Sequence, residues 1–229
     1  MNKITIIVLL LIYNVTCAQQ VKVTSTQLSE HQIDSVFTDP IKATLQLDYD
    51  IHRVYEYNDK AGKHFVVMTK NLVNCEELET CYDSIKAYCY VYKNDTFKLK
   101  WKCNDFILPN NYEYSISYWT KYFEIKDYDN DGLADPILVY GTYGLNEFWD
   151  GRLKILIYYN NKKSVIRHQN GIHDNERYTQ VDSQFYDLPI EIQKRVKIIM
   201  ENITENDHGI FPYNWENDMK NKQLRFDES

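Results

Sequence analysis

Between Ile85 and Cys103 the chain reads IKAYCYVYKNDTFKLKWKC, two runs in which similar side chains recur at every second position on either side of Asn94-Asp95. That period belongs to an extended strand, whose successive side chains point to opposite faces; a helix would scatter the same residues around its axis. In the second run Phe97, Leu99, Trp101 and Cys103 fall on one face and Lys98, Lys100 and Lys102 on the other, the pattern of a strand with one wet side. Asn and Asp tolerate positive φ, so the pair between the runs reads as a tight hairpin turn. A lone hairpin is marginal in water, and this one requires more strands to pair with and a body to cover its apolar face.

The rest of the chain supplies them. It holds 20 tyrosines but only 7 glycines and 5 prolines, a composition that prefers pleated, half-buried surfaces over disorder. Upstream, LSEHQIDSVFTDP reads as a short helix with Leu28, Ile33, Val36 and Phe37 apolar, ended by Pro40. From Ala43 the period changes to two: ATLQLDYD and HRVYEYND alternate, and HFVVMT is a continuous apolar run of the buried-strand kind. Past the Pro/Asn-rich break LPNNYEY, the order of features resembles that of the first half. SYWTKYFEIKD, PILVYGTYG, RLKILIYYNN and KKSVIRHQNG read as four further strands. Toward the C-terminus Asp187 is placed to cap a helix from Pro189 to Asn202, with Ile192, Val196, Ile199 and Ile203 on one stripe. The aromatic tail, with Phe211, Tyr213, Trp215 and Phe226, is expected to lie against the body.

The expected fold is therefore mainly β: antiparallel sheets in two similar four-stranded halves, at about 45–106 and 114–172, arranged as a sandwich or an incomplete propeller. A C-terminal amphipathic helix and the tail, residues 187–229, complete a single domain.

The first residues, MNKITIIVLLLIYNVTCA, have the layout of a secretory signal peptide: Lys3, an apolar run from Ile4 to Ile12, and small residues before a cleavage point after Ala18. The apolar run is too short to span a bilayer. A lipid anchor on Cys17 is the second reading. Removing the first 18 of 229 residues leaves 211, and because Lys3 is the only charge lost, the net charge moves from −7 to −8. An acidic surface of this size argues against nucleic acid as a partner. Four cysteines remain, Cys75, Cys81, Cys89 and Cys103, and an even number in an exported chain points to disulfides. The pairs expected are Cys75 with Cys81 and Cys89 with Cys103. The second needs a bulge or a longer turn, since a two-residue turn at Asn94-Asp95 sets Cys89 opposite Lys100.

One loop carries specific chemistry. In DYDNDGLADP, Asp127 to Pro136, oxygen donors fall at positions 1, 3, 5 and 9: Asp127, Asp129, Asp131 and Asp135. Calcium takes six to eight oxygens, which alternating carboxylates and a backbone carbonyl supply, here that of Leu133 at position 7; Gly132 allows the sharp turn. The bidentate glutamate of an EF-hand is replaced by Leu138, and strands rather than helices are expected on either side. The loop resembles the DxDxDGxxD loops of FG-GAP and VCBS repeats, which implies a metal role for Asp127, Asp129, Asp131, Leu133 and Asp135. One copy cannot close a propeller, and the expected role of the ion is structural. The matching turn of the first half, NDKAGKH, offers only Asn58 and Asp59 and is expected to be metal-free.

Other constellations are less specific. The segment IRHQNGIHDNERYTQVD gathers Arg167, His168, His173, Asp174, Glu176 and Arg177, raw material for acid–base chemistry, but also for a locally paired hairpin. Glu76-Glu77-Glu79, Asp48 and Asp50 read as solvated loop carboxylates. Tyr55, Tyr57, Tyr88, Tyr90 and Tyr92 offer flat faces suited to sugar rings, though a tyrosine-rich core explains them equally. No GxSxG, HExxH or phosphate-loop motif occurs in the sequence.

Over nearly the whole chain, the phrases WTKYFEIKDYDNDGLADPILVYGTYG, DGRLKILIYY, IRHQNG and FPYNW resemble a family of exported Bacteroidetes proteins described as surface polysaccharide biosynthesis proteins. The resemblance implies a role in the cell envelope, with no catalytic residues to carry over. The reading is an exported, calcium-binding, β-rich accessory or binding protein, with an envelope glycan or a protein as partner. The alternatives are an envelope glycan-active enzyme and an inhibitor or immunity protein against a secreted toxin.

Overall fold

The computed structural model describes residues 22–76, 78–108 and 113–228. The expected leader, residues 1–18 with Cys17, lies outside them. The chain is mainly β, built as two antiparallel sheets, within each of which every strand pairs with its neighbours in sequence.

The first sheet runs in the order β1 (Thr24–Gln27), β2 (Asp50–Asp59), β3 (Gly62–Val73), β4 (Cys81–Lys93) and β5 (Thr96–Phe106). The second runs β11 (Arg225–Asp227), β10 (Tyr178–Val181), β9 (Lys162–Gln169), β8 (Arg152–Tyr159), β7 (Ile137–Tyr143) and β6 (Ser115–Tyr118). The sheets thus have five and six strands where four each were expected, because β1 extends the first and both β10 and the tail strand β11 extend the second. Two hairpins close on residues that tolerate positive φ: Asn94 and Asp95 between β4 and β5, and Asn160 and Asn161 between β8 and β9.

Side-chain alternation sorts the apolar residues into three layers. Tyr57, Val66, Met68, Ile85, Cys89 and Trp101 from the first sheet meet Ile116, Tyr118, Leu138, Tyr140, Leu156 and Tyr158 from the second, so the sheets form a sandwich. Trp101 stacks on Tyr158 across the gap, ring centroids 3.8 Å apart. The outer face of the first sheet, with Val54, Phe65, Val67 and Tyr90, is covered by α1 (Glu30–Val36) and α2 (Asp39–Leu45), between which Phe37 is wholly buried. The outer face of the second sheet is covered by α3 (Ile190–Glu205), whose Ile192, Val196, Ile199, Met200 and Ile203 pack on Ile137, Val139, Leu153 and Ile155. Each such buried side chain contributes about 1.5–3 kcal/mol through removal from water. Helices on both outer faces explain why PILVYG and LKILIYY run almost without polar interruption: these strands are dry on both sides.

Three local expectations are corrected. Pro40 does not end a helix; it sits in the first turn of α2, where its missing N–H costs nothing, so residues 43–45 of the supposed strand ATLQLDYD are helical. The segment KYFEIK is not a strand but a single turn of 3-10 helix, Thr120–Tyr122, followed by one bridge between Glu124 and Ile137. In β5 the register slips by one residue, pairing Tyr90 with Leu99 and Cys89 with Trp101 and leaving Lys100 as the extra residue of a bulge. Phe97 consequently faces the helices while Trp101 and Cys103 face the other sheet.

That slip also decides the cysteines. Cys75 and Cys81 form a disulfide, whereas Cys89 and Cys103 are free thiols. The bulge brings the latter two to one face, but Cys103 pairs with Ala87, two residues from Cys89, a diagonal spacing of roughly 7–8 Å that a disulfide does not bridge.

The tail lies against the body: Phe211 and Phe226 are buried, α4 (Trp215–Lys220) anchors Met219, and β11 pairs with β10, though Tyr213 is exposed.

Candidate metal centre

The acidic loop leaves the Glu124–Ile137 bridge and returns into β7. Lys126 O accepts from Asp135 N at 2.7 Å, closing its base. Within it the carboxylates organise the backbone. Asp127 accepts from Gly132 N at 2.9 Å and Asp131 N at 3.2 Å, Asp131 accepts from Leu133 N at 2.7 Å, and Asp135 accepts from Tyr128 N at 3.0 Å. Asn130 and Gly132 both take positive φ, 63° and 86°. At Gly132 an added Cβ would stand 3.3 Å from the Lys60 side chain, so glycine serves both the turn and the close approach of that lysine stem.

This folding brings one carboxylate oxygen each from Asp127, Asp129 and Asp135 within 4.8 Å of one another. Oxygens on opposite sides of a single calcium stand about 5 Å apart, so the spacing fits a hard cation. Asp135 is only 2% exposed. Burial, reinforced by the charges of Asp129, Asp131 and Asp127, pushes its carboxyl up to about 7 despite the hydrogen bond from Tyr128. A cation among these groups reverses that balance, because it compensates the very charges that raise the pKa. Asp131 does not join the cluster: it is exposed and its carboxylate forms the turn to Leu133. Leu133 lies at the turn's exit, its N–H spent on Asp131.

The loop is held from three sides. Tyr159, at the end of β8, donates to Asp129 at 2.9 Å. From the first sheet, the β2–β3 turn docks directly: Lys60 N donates to Gly132 O at 2.8 Å, and Asp59 accepts from Ala134 N at 3.2 Å and from Ala61 N at 2.8 Å. Below the loop, Glu124 receives a two-pronged bond from Arg195 of α3, at 2.6 and 2.7 Å, and a hydrogen bond from Tyr128. Burial opposes the charge of Glu124, but Arg195, Tyr128 and Lys126 together hold its carboxyl down to about 2. The turn NDKAGKH is thus a clamp on the acidic loop. Sequence spacing gave no sign of this, since Asp59 and Ala134 lie 75 residues apart.

The second polar segment does not converge. His168 is 2% exposed, and both ring nitrogens are spent, Nδ1 with Thr179 Oγ1 at 2.9 Å and Nε2 with Asn170 Oδ1 at 2.8 Å. Burial lowers its pKa to about 4. Arg167 points to the opposite face and pairs with Asp182 at 2.6 Å. Glu176 accepts from His173 N, and Arg177 holds Asp174 and the carbonyls of Gly171 and Ile172. These are ties that shape a turn. Of the loop carboxylates, Asp48 pairs with Lys86. The tyrosines divide between layers: Tyr55 and Tyr57 face the other sheet, and Tyr88, Tyr90 and Tyr92 face the helices, where Tyr88 and Tyr90 are largely buried.

Among the described residues, no helix is long and apolar enough to cross a membrane. Comparison of the chain with protein-family models, with curated proteins and with solved structures finds no match.

Proposed function

We propose that this chain is an exported binding or accessory protein of the cell envelope, in which calcium at the acidic loop locks the two sheets together. The observation that carries the metal role is the trio Asp127, Asp129 and Asp135, with a buried carboxylate at its centre and the clamp from Asp59 and Lys60 around it. The Cys75–Cys81 disulfide and the resemblance to exported surface-polysaccharide proteins support a place outside the cytoplasm. Asp127, Asp129 and Asp135 would hold the ion, which supplies charge compensation to a loop whose carboxylates otherwise repel.

Thermal unfolding with and without calcium tests this. At a concentration about 100-fold above Kd, an ion that binds only the folded state adds about 2.7 kcal/mol, or roughly 5–10 °C in Tm for a chain of this size. The rise is expected to be reversed by a chelator and lost in Asp129→Ala. A melting temperature indifferent to calcium in the unsubstituted protein overturns the metal role.

A further inference from the structure

The strands run between two unlike ends. At one lie the acidic loop and the hairpin turns, with Lys60, Lys93, Lys98, Lys162 and Lys163 beside them. At the other, the turn closed by Cys75–Cys81, the β7–β8 loop and the β9–β10 loop come together. Leu78 and Thr80 share a cavity with Tyr143 and Phe148, and Asn170 donates to the carbonyls of Phe148 and Gly151. Between Val73 and Thr80, Gly144 and Gly151, and Asn170 and Glu176 the sequence has no lysine or arginine; His173 is the one basic group. The same stretches carry Glu76, Glu79, Glu147, Asp150, Asp174 and Glu176. Cations close by are engaged: Arg152 with Glu113, Arg177 with Asp174, and Lys70 buried over the Tyr82 ring.

Amid these carboxylates the surface is apolar. On these loops Leu145, Trp149 and Ile172 are exposed, Leu145 by 57% and Ile172 by 50%. A water-exposed grouping of large apolar side chains from separate loops carries a cost that folding alone does not explain, and it marks a contact surface. At the same end two of these loops, through Leu78, Thr80 and Phe148, wall a cavity of about 340 Å³ together with Trp119, Tyr143 and Ser115. Trp119 packs over Gly141, where any Cβ would meet its ring at 2.3 Å, and its buried Nε1–H has no acceptor among the described residues. An aromatic-walled pocket with an unspent donor, whose lining residues Thr80 and Phe148 adjoin the exposed Glu79 and Glu147 in sequence, has the parts of an anchor site.

We infer that this end of the sandwich docks a basic polypeptide, which seats an apolar or aromatic side chain in the Trp119–Tyr143–Phe148 cavity and sets lysines or arginines against Glu79 and Glu147. Charge complementarity selects the occupant: the acidic rim repels a second copy of itself and favours cationic chains. The inference rests on the binding role proposed above but not on the metal, which sits at the opposite end.

The test is selection of a displayed random dodecapeptide library on the calcium-loaded full chain. Enriched peptides are expected to combine Lys or Arg with a Leu, Phe or Trp anchor, and to bind more weakly as salt is raised. Affinity is expected to fall at least tenfold in the charge-reversed Glu79→Lys/Glu147→Lys protein and in Thr80→Trp, which fills the cavity, and to be unchanged in Leu224→Asp on another face. Circular dichroism and the calcium-dependent melt of each variant report that it is folded and that the far end is intact. The proposal is overturned if no peptides or only neutral or acidic ones are enriched, or if charge reversal leaves binding unchanged. It is equally overturned if the protein self-associates through this face, seen as a dimer in solution that the same charge reversal dissolves. Loss of the calcium effect with peptide binding retained would sink the metal role alone.

Discussion

At position 168 a histidine occupies a site where a strand between two packed layers would ordinarily place an aliphatic residue. It is accommodated because the Asn170 side-chain amide oxygen Oδ1, which also accepts from Ile210 N, fixes the proton on Nε2, leaving Nδ1 to accept from Thr179. The ring is therefore neutral when folded, and burial keeps its pKa near 4, below the ordinary value of 6.5. A histidine whose folded pKa is depressed costs nothing above pH 6.5 and penalises the folded state progressively as pH falls toward 4, by about 3 kcal/mol at most. Urea unfolding from pH 7 to pH 4 is expected to show this loss, and a His168→Gln protein to lack that part of it. An identical pH slope in the two proteins would remove His168 as its source. The acidic loop differs in this respect. Carboxylates at alternate positions around Gly132 were legible because their partners lie within ten residues. The role of His168 was not, because Asn170 and Thr179 are made its partners by strand pairing, and spacing alone does not separate a buried histidine from a catalytic one.

Among the elements, strands announced themselves wherever one face or both were dry, and failed to where the backbone departs from its period. The β5 bulge is the clearest case. Alternation from Phe97 to Cys103 put four apolar residues on one face, yet Lys100 is an inserted residue, and the two halves of the strand serve different layers. Periodicity has no means of registering an insertion. Helix α2 was missed for a different reason: Leu45 and Leu47 fit a period of two, while the start signal, Thr38 followed by a first-turn proline, was read as a stop. The bulge has a chemical consequence. Cys89 and Cys103 are buried, and burial raises both thiols to about 11, against which the hydrogen bond between Tyr57 and Cys89 is a small opposing effect. Alkylation by iodoacetamide at pH 8, read by peptide mapping, is expected to leave both unmodified in the native protein and to label both after unfolding without reductant. Cys75 and Cys81 should need reductant as well. Detection of a Cys89–Cys103 disulfide peptide from the native protein would mean that the β4–β5 register is wrong.

The whole molecule is four layers deep, helices outside and two sheets within, and its two sheets belong to successive halves of the chain. Their apolar contact resists separation but does little to fix how one sheet is turned on the other, since apolar burial is not directional. Direction comes from polar contacts between the sheets: Tyr82 N to Ser115, Tyr118 to Thr69 O and Lys154 to Asp105 lie elsewhere along the joint, and a further set lies at the end of the acidic loop. There the first sheet reaches across through Asp59 and Lys60 to the backbone of Gly132 and Ala134, in the same loop whose carboxylates gather around the proposed ion. Asp59 is buried and not a member of that carboxylate trio, so it acts on the ion only by holding the loop in shape. Its replacement therefore separates a site that spans the sheets from one that belongs to the loop alone. In Asp59→Ala calcium affinity is expected to fall roughly tenfold, the usual scale for a supporting group outside the ligand set. Calcium is also expected to slow amide exchange at Lys60 and Ala134 in the parent protein, and to do so far less in the variant. Unchanged affinity, with Lys60 exchanging at the same rate whether or not calcium is present, would confine the ion's effect to the second sheet and leave the joint to apolar packing and the other polar contacts between the sheets.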